Sequence, residues 1–345
     1  MHGTIPSLGS RPELSATDSR KETPLLAFVV IGRNEGQRLV DCLKSIQSDH
    51  LHLVYVDSDS HDGSPVVAER LNAQVIPLDM TEPFTAARAR NTGFRAAMAR
   101  WPDLEFVQFI DGDCSLHHAW IEQAIAFMRA RPDVAIVFGR RRERFPERSI
   151  YNAMCDREWS GTPGPAQECG GDILVRVKAL QEAGLYDGTL IAGEEPELCV
   201  RLREKGWSIW RLDAEMTLHD ANVTAFRQWW RRTTRAGYAF AAVAARHWSS
   251  PAAIWKRSLL RSIGWGGALP IAIVCASLLH PAALVLFGLY PVQVARLARR
   301  DGWNRIESWR FAFFDVLGKF AECWGAGKFF VNRLLRRRQH IIEYK

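Results

Sequence analysis

Residues 25–64 read LLAFVVIGRNEGQRLVDCLKSIQSDHLHLVYVDSDSHDGS, and this stretch decides the fold class. An apolar run of strand length, LLAFVVI, gives way to a segment with Leu39, Leu43 and Ile46 on one helical face, and a second apolar run, LHLVYVD, follows. Helical periodicity between two continuous apolar runs reads as a β-α-β unit. The alternation continues outward. A helix around Val66 to Leu71 precedes a strand in AQVI, a helix across Ala86 to Ala99 precedes a strand in LEFVQFI, and a helix across Trp120 to Arg129 precedes a strand in VAIVFG. Repeated β-α order predicts a largely parallel sheet covered by helices on both faces. Ligands bind such sheets at the carboxyl ends of the strands, so the chemistry is expected after LLAFVVI, LHLVYV and LEFVQFI.

The chain has 345 residues, more than the roughly 100 to 200 of one domain, which predicts a large catalytic unit with a smaller appendage. With 47% hydrophobic and 24% charged residues, a disordered, collagen-like or many-pass membrane chain is excluded. The seven cysteines form no C-x-x-C pair, so neither a disulfide framework nor a zinc ribbon is implied, and reduced thiols in the cytosol are expected. The net charge of +7 is unevenly spread. Residues 227–345 carry 20 Lys and Arg against 5 Asp and Glu, a net of +15, while the residues before them carry 25 against 33, a net of −8. Eight of the thirteen tryptophans lie in the same basic tail. Tryptophan among basic residues suits an anionic membrane surface; a stacking groove for single-stranded nucleic acid is the rival use of that composition.

Residues 1–23 are polar and lack the apolar run of a signal peptide, and they read as a flexible leader. The catalytic unit is expected over residues 24–225 and a helical, membrane-associated region over 226–345. Ser262 to Ala295 contains no Asp, Glu, Lys or Arg. His280-Pro281 divides it into arms of about 17 and 14 residues, near or below the length of a spanning helix. Basic residues flank it, with Lys256, Arg257 and Arg261 before and Arg296, Arg299 and Arg300 after, so a hairpin over 262–295 with both ends in the cytoplasm is expected. A buried hairpin in a soluble tail is the alternative. Residues 309–335 set Phe311, Phe314, Leu317, Phe320, Trp324 and Phe329 among Lys and Arg, the pattern of an amphipathic interfacial helix.

Asp111-Gly112-Asp113 follows the strand LEFVQFI. Two carboxylates separated by glycine past a buried strand can converge on one hard cation and leave positions for phosphate and water. Gly32 to Gly36 and Asp57 to Ser64 belong to the same sheet edge, and Arg88 and Arg90, with Asn91 beside them, supply guanidinium groups that could neutralise a diphosphate.

With these segments in order, the chain resembles the inverting family 2 glycosyltransferases of the GT-A fold, of the membrane-associated bacterial type. The resembling residues are VVIGRNEG, VDSDSHDGS, AARARNTG, IDGDC, ECGGDILVRVKAL and GEEPELCVRLREKGW, spread over about residues 25 to 225. The resemblance implies a doubly wound mixed sheet and a nucleoside-diphosphate sugar as donor, a UDP-sugar being favoured. It implies that Glu35 and Asp57 contact the base and ribose, Arg90 the nucleotide, and Asp111 and Asp113 the ribose and the metal-diphosphate. Gly170 and Gly171 would form a backbone loop near the acceptor, and His219 matches a position where the family often has a metal-ligating histidine. The cofactor implied is Mn2+ or Mg2+. Two departures stand out. The family's acidic doublet after the second strand is Asp57-Ser58 here, and its Glu-Asp pair is Glu194-Glu195, with Glu195 in the place of the general base and Glu194 as the competing base. Pro196 suits the first turn of a helix, whose dipole favours the ionised form of a nearby carboxylate.

The reading is then a metal-dependent, hexosyltransferase-like enzyme of polysaccharide or glycolipid biosynthesis at the cytoplasmic face of the inner membrane. Its acceptor would be a glycan or a lipid-linked hydroxyl, and membrane lipids rather than nucleic acid would be its partners. A nucleotidyltransferase of sugar phosphates would share the sheet and the carboxylates but give the Glu194-Glu195 element no role. A non-catalytic nucleic-acid-binding protein would use the basic tail but leave the acidic strand ends unexplained. Gln228-Trp229-Trp230-Arg231-Arg232 is similar to an interfacial element of processive polysaccharide synthases, yet the hydrophobic region is too short for a multi-helix channel, so single additions are expected.

Overall fold

A computed structural model describes residues 26–46 and 52–336; the expected leader lies outside the described residues. In chain order the elements are β1 (Leu26–Gly32), α1 (Gln37–Ser45), β2 (His52–Asp57), α2 (Ser64–Arg70), β3 (Gln74–Pro77), α3 (Ala86–Arg100), β4 (Phe106–Asp111), β5 (Cys114–Leu116), α4 (Trp120–Ala130), β6 (Val134–Glu143), α5 (Ile150–Trp159), β7 (Gly164–Ala166), β8 (Ile173–Arg176), α6 (Val177–Ala183), α7 (Glu194–Glu204) and β9 (Ser208–His219). A helical region follows: α8 (Phe226–Arg246), α9 (Lys256–Ile263), α10 (Leu269–Leu279), α11 (Leu289–Gly302) and α12 (Ile306–Leu334).

The strands form one mixed sheet in the order β3-β2-β1-β4-β8-β6-β9-β5, with β7 beside β9. β1, the run that opened the sequence reading, pairs in parallel with β2 and β4, and is buried from Ala27 to Val30 because helices cover both faces. Alternate residues feed opposite cores. Ala27, Val29 and Ile31 pack with α3 and α6 residues, whereas Phe28 and Val30 pack with Leu39, Leu43 and Trp120. Parallel order stops at β8, which runs antiparallel to both β4 and β6, and at β5 and β7, which run antiparallel to β9. Segment reading missed these three strands. They have four residues or fewer and sit beside turn residues, so neither alternation nor a long apolar run marks them.

The helical region is anchored rather than appended. Tyr238, Ala241 and Ala242 of α8, Leu259 of α9, and Ala326 and Phe329 of α12 form one core with Leu190 and Ile191 from the loop before α7. Burying a side chain the size of Phe329 contributes about 1.5–3 kcal/mol. α8 and α12 cross where glycine faces backbone: a methyl group at Gly325 would overlap the Thr234 carbonyl, and one at Gly237 would overlap the backbone of Glu322. Small residues at such a crossing let the two helices approach closely.

The charge-free stretch departs from its expected dimensions. Its break falls at His280-Pro281, where α10 ends and Ala282 N–H donates to His280 Nδ1 (3.2 Å). The continuous helical arms nevertheless span Lys256–Leu279 (24 residues) and Pro281–Gly302 (22 residues), because the flanking basic residues and not only the apolar ones are helical. Both arms are long and apolar enough to cross a membrane by length and composition. Leu278, Leu279 and Val285 are about four-fifths exposed or more (83%, 91% and 79%), so the stretch is not the buried core of a soluble tail. The helix expected over 309–335 runs from Ile306 to Leu334.

The glycine crossing predicts opposite outcomes for two neighbouring glycines of α12. Gly325→Ala should lower stability by about 1–3 kcal/mol through overpacking. Gly327→Ala faces open space and should be neutral or stabilising by up to about 1 kcal/mol from helix propensity. Thermal unfolding of the full chain in detergent, followed by circular dichroism, measures both; equal midpoints for the two variants would remove the close-packed crossing.

Candidate active site

The register of β1 with its neighbours sets Ile31 opposite Asp111 and Gly32 opposite Asp57, so the turns after β1, β2 and β4 converge at one edge. Above that edge is a cavity of about 810 Å³ whose wall includes Glu35, Arg90, Asp111, Asp113, Glu195 and His219. Glu194, Gly170 and Gly171 line it too. Nine of the twelve residues singled out from the sequence therefore share one cavity. Arg88 and Asn91 do not line it: Arg88 donates to the carbonyls of Asp79, Glu82 and Pro83, and Asn91 to that of Tyr186. Asp57 does not line it either. Its carboxylate accepts from Tyr55 Oη (2.9 Å) and Ser60 N–H (2.9 Å), which shapes the turn after β2, and Ser58 lines the cavity instead.

Arg90 organises the centre. Thr85 caps α3, its Oγ1 accepting from Arg88 N–H (3.1 Å), and this fixes the first turns of the helix that carries Arg90. The buried guanidinium meets Asp111 Oδ1 at 2.8 Å, Glu194 Oε1 at 3.0 Å and Glu195 Oε1 at 2.6 Å. Glu194 and Glu195 share this one cation with Asp111, so the two glutamates are incompletely compensated. Burial pushes the Glu195 carboxyl up to about 7; Arg90 opposes the rise, while Glu194 and Asp111 add to it. Gly193, in the left-handed region at φ 84°, precedes Glu194 and Glu195 in the first turn of α7, and the positive end of the helix dipole lies beside them.

A second arginine fixes the strand-end loop from the other side. Arg141 on β6 meets Asp172 Oδ2 at 2.7 Å and Asp111 Oδ2 at 3.5 Å. Asp172 in turn accepts from Asp111 N–H (3.0 Å) and Thr217 Oγ1 (2.7 Å). Between the two arginines runs Gly171, where a methyl group would overlap the Arg90 guanidinium and crowd the Asp111 carboxylate. The glycine pair thus allows the backbone to approach the charged centre. Arg141 and Asp172 escaped the sequence reading. Asp172 directly follows the Gly170-Gly171 pair, a usable signal, but Arg141 sits in GRRRERF, where nothing distinguishes it from its neighbours.

Asp113 and His219 meet because β5 pairs with β9, Cys114 lying opposite His219, and Asp220 N–H donates to Asp113 O (3.2 Å). Asp113 Oδ2 lies 3.4 Å from His219 Nε2. The other ring nitrogen is 3.8 Å from Glu143 Oε2, beyond hydrogen-bond reach. Burial chiefly depresses the imidazole's proton affinity, which keeps it neutral as a ligand must be. Asp113, Cys114 and His219 offer donor atoms within 4.8 Å of one another. Burial holds the Cys114 thiol well above its ordinary range, so it stays protonated and is no ligand for a hard cation. A carboxylate oxygen with a neutral imidazole nitrogen at the cavity wall fits a hard divalent cation.

Comparison with known proteins agrees with this geometry. Residues 27–177 match the profile described as Glycosyl transferase family 2. The chain is similar to glycosyltransferase AglE of Haloferax volcanii, at 21% identity over 54% of this chain and 64% of that protein. It is also similar to the pre-mycofactocin glycosyltransferase of Mycobacterium tuberculosis, at 28% identity over 47% of this chain and 35% of that protein. The chain thus spans less than two thirds of the length of either curated relative. In fold it resembles the mannosyltransferase PcManGT of Pyrobaculum calidifontis, solved with GDP-Man and Mn2+, with a TM-score of 0.64 and 18% identity over 90% of this chain and 88% of that one. The profile ends before α7 and β9, so Glu195 and His219 rest on the geometry alone. Residues 27–177 are thus similar to glycosyl transferase family 2, and the chain has the mixed α/β sheet of the GT-A fold.

Proposed function

We propose that the chain is a metal-dependent inverting glycosyltransferase that moves a sugar from a nucleoside-diphosphate sugar to a hydroxyl of a glycan or lipid-linked acceptor. The observation that carries this reading is the convergence in one cavity of a carboxyl held near 7, Glu195, with the Asp113–His219 pair. GDP-Man and Mn2+ in the fold neighbour support the donor class and the ion class; a UDP-sugar remains the donor favoured by the sequence.

Asp113 and His219 would hold a divalent cation, which would supply charge stabilisation to the departing diphosphate. Arg90 and Arg141 add fixed positive charge beside Asp111 at the same strand ends. Glu195 accepts the proton of the acceptor hydroxyl as its oxygen attacks the anomeric carbon. The new C–O bond forms on the face opposite the breaking glycosyl–phosphate bond, so configuration inverts in one displacement, and the bond electrons leave with the diphosphate. One carboxylate base is enough, since the leaving group needs charge stabilisation rather than a proton. Burial that lifts Glu195 toward 7 makes it a stronger base than an ordinary carboxylate while about half of it is ionised at neutral pH. The exposed apolar arms between Lys256 and Gly302 support work at a membrane, and their basic flanks support the cytoplasmic face.

Three outcomes test the reading. Glu195→Gln keeps the contact to Arg90 but cannot take a proton, so the transfer rate should fall by about 100-fold or more while donor still raises the thermal midpoint. Glu194→Gln should cost less, and the reverse ranking would move the base to Glu194. Because the Glu195 carboxyl is raised to about 7 and acts only when ionised, the wild-type rate should climb with pH through about 7 and level off above it. A profile already flat from pH 5 to pH 8 would exclude Glu195 as the base. Asp113→Asn should abolish both turnover and saturable Mn2+ binding measured by electron paramagnetic resonance; tight Mn2+ binding by that variant would relocate the ion.

A further inference from the structure

A second cavity, of about 800 Å³, lies between α5, α8, the α9–α11 hairpin and α12, and the transfer reaction leaves it without a role. Glu158, Arg232 and Ala236 line both cavities, so the two share a wall. Six cationic side chains line the second cavity against three carboxylates. Those carboxylates are already engaged: Asp315 meets Arg157 at 2.5 Å, Glu158 meets Arg232 at 2.8 Å and Glu322 meets Lys319 at 2.7 Å. Arg300 is satisfied by Asp301 at 2.8 Å. Arg261, from the first arm of the hairpin, and Arg296, from the second, have no ion-pair or hydrogen-bond partner among the described residues.

The surroundings specify what two such guanidinium groups would hold. Trp229, Phe240, Trp265 and Phe314 supply aromatic wall. Trp265 lies in a π-helical turn, Gly264–Ala268, and its carbonyl accepts from Tyr290 Oη (2.7 Å), which ties the two arms together. Between the two arginines in sequence the hairpin is free of charge for 34 residues, Ser262 to Ala295, and most of its large side chains are exposed. A cavity lined by two exposed guanidinium groups and by aromatic side chains, and flanked by an exposed apolar hairpin, suits an amphiphile whose head is a phosphate, because guanidinium binds phosphate oxygens bidentately. We infer that this cavity seats the phosphate of a phosphate-bearing lipid acceptor, on Arg261 and Arg296, with its alkyl chain along the α10–α11 hairpin and its reacting end directed past Arg232 and Ala236 into the catalytic cavity. This inference rests on the proposed transfer only for calling the lipid an acceptor.

The test measures retention of defined amphiphiles by native mass spectrometry of the full chain released from detergent. Dihexadecyl phosphate, hexadecanol and inorganic phosphate are the probes. The wild-type chain should retain dihexadecyl phosphate, not hexadecanol, and inorganic phosphate should compete only weakly. Arg261→Gln combined with Arg296→Gln should reduce retention by about tenfold or more, given the strength of charge-assisted hydrogen bonds. Arg261→Lys with Arg296→Lys keeps the charge but loses the fork, so its retention should fall below wild type and stay above that of the glutamine variant. Nucleoside diphosphate with Mn2+ should raise the thermal midpoint of every variant as it does for wild type, which reports on the catalytic cavity separately. Undiminished retention by the glutamine variant, or equal retention of hexadecanol, overturns the site. Inorganic phosphate binding as tightly as dihexadecyl phosphate overturns the lipid and makes the ligand a free anion. Should the glutamine variant fail to fold, the wild-type probe comparison and the lysine variant decide. Absence of transfer would remove the acceptor role without altering the retention result.

Discussion

Arg90 is the constraint on which the site depends. A guanidinium with almost no exposure is stable only when its charge is answered, and here three carboxylates from two parts of the chain answer it. That arrangement ties the end of β4 to the start of α7 and requires Gly171 in the narrow passage between them. It also leaves the carboxylates in excess. Burial with incomplete compensation is the reason Glu195 differs from an ordinary surface glutamate. Structure and reactivity come from the same arrangement: removing Arg90 would uncouple the elements and leave Glu194 and Glu195 without their cation, while Asp111 would keep Arg141.

The sheet supplies geometry at a scale the arginine cannot. Parallel β1, β2 and β4 bring three turns to one edge, and the switch to antiparallel pairing at β8 and β5 returns Asp172 and His219 to the same edge from far along the chain. Asp172 then holds the backbone of Asp111, and His219 meets Asp113. α8 leaves this edge and serves as the shared wall between the two cavities, with its far side pressed glycine to backbone against α12. The exposed apolar hairpin is thereby held at a fixed distance from the catalytic cavity, which a flexible tether would not provide.

Local signals wrote a large part of this in the sequence. β1 to β4 and their helices were legible because continuous apolar runs and 3.6-residue periodicity are properties of neighbouring residues. Asp111, Asp113, Glu194 and Glu195 were legible because turn chemistry and resemblance mark short, contiguous motifs, and the charge-free stretch with its His280-Pro281 break was legible from composition alone. The helical arms came out longer than the charge-free stretch implied, since Lys256, Arg257 and Arg261 join the first helix and apolar content marks only its uncharged part.

Other features were decided by packing across distance. Asp57 is the local exception: it turns to Tyr55 and Ser60, both within three residues of it, because positions two apart on β2 share a face. Arg141 and Asp172 pair across 31 positions of sequence, with no motif to announce it. The second cavity exists only because α5, α8, α11 and α12 assemble around it, leaving Arg261 and Arg296 without acids. The sequence by itself determined which segments are strands, which residues are acidic at their ends and where the chain becomes apolar, because each follows from adjacent side chains. Tertiary structure alone decided which charges are compensated and which are not, because compensation is a sum over neighbours drawn from the whole chain.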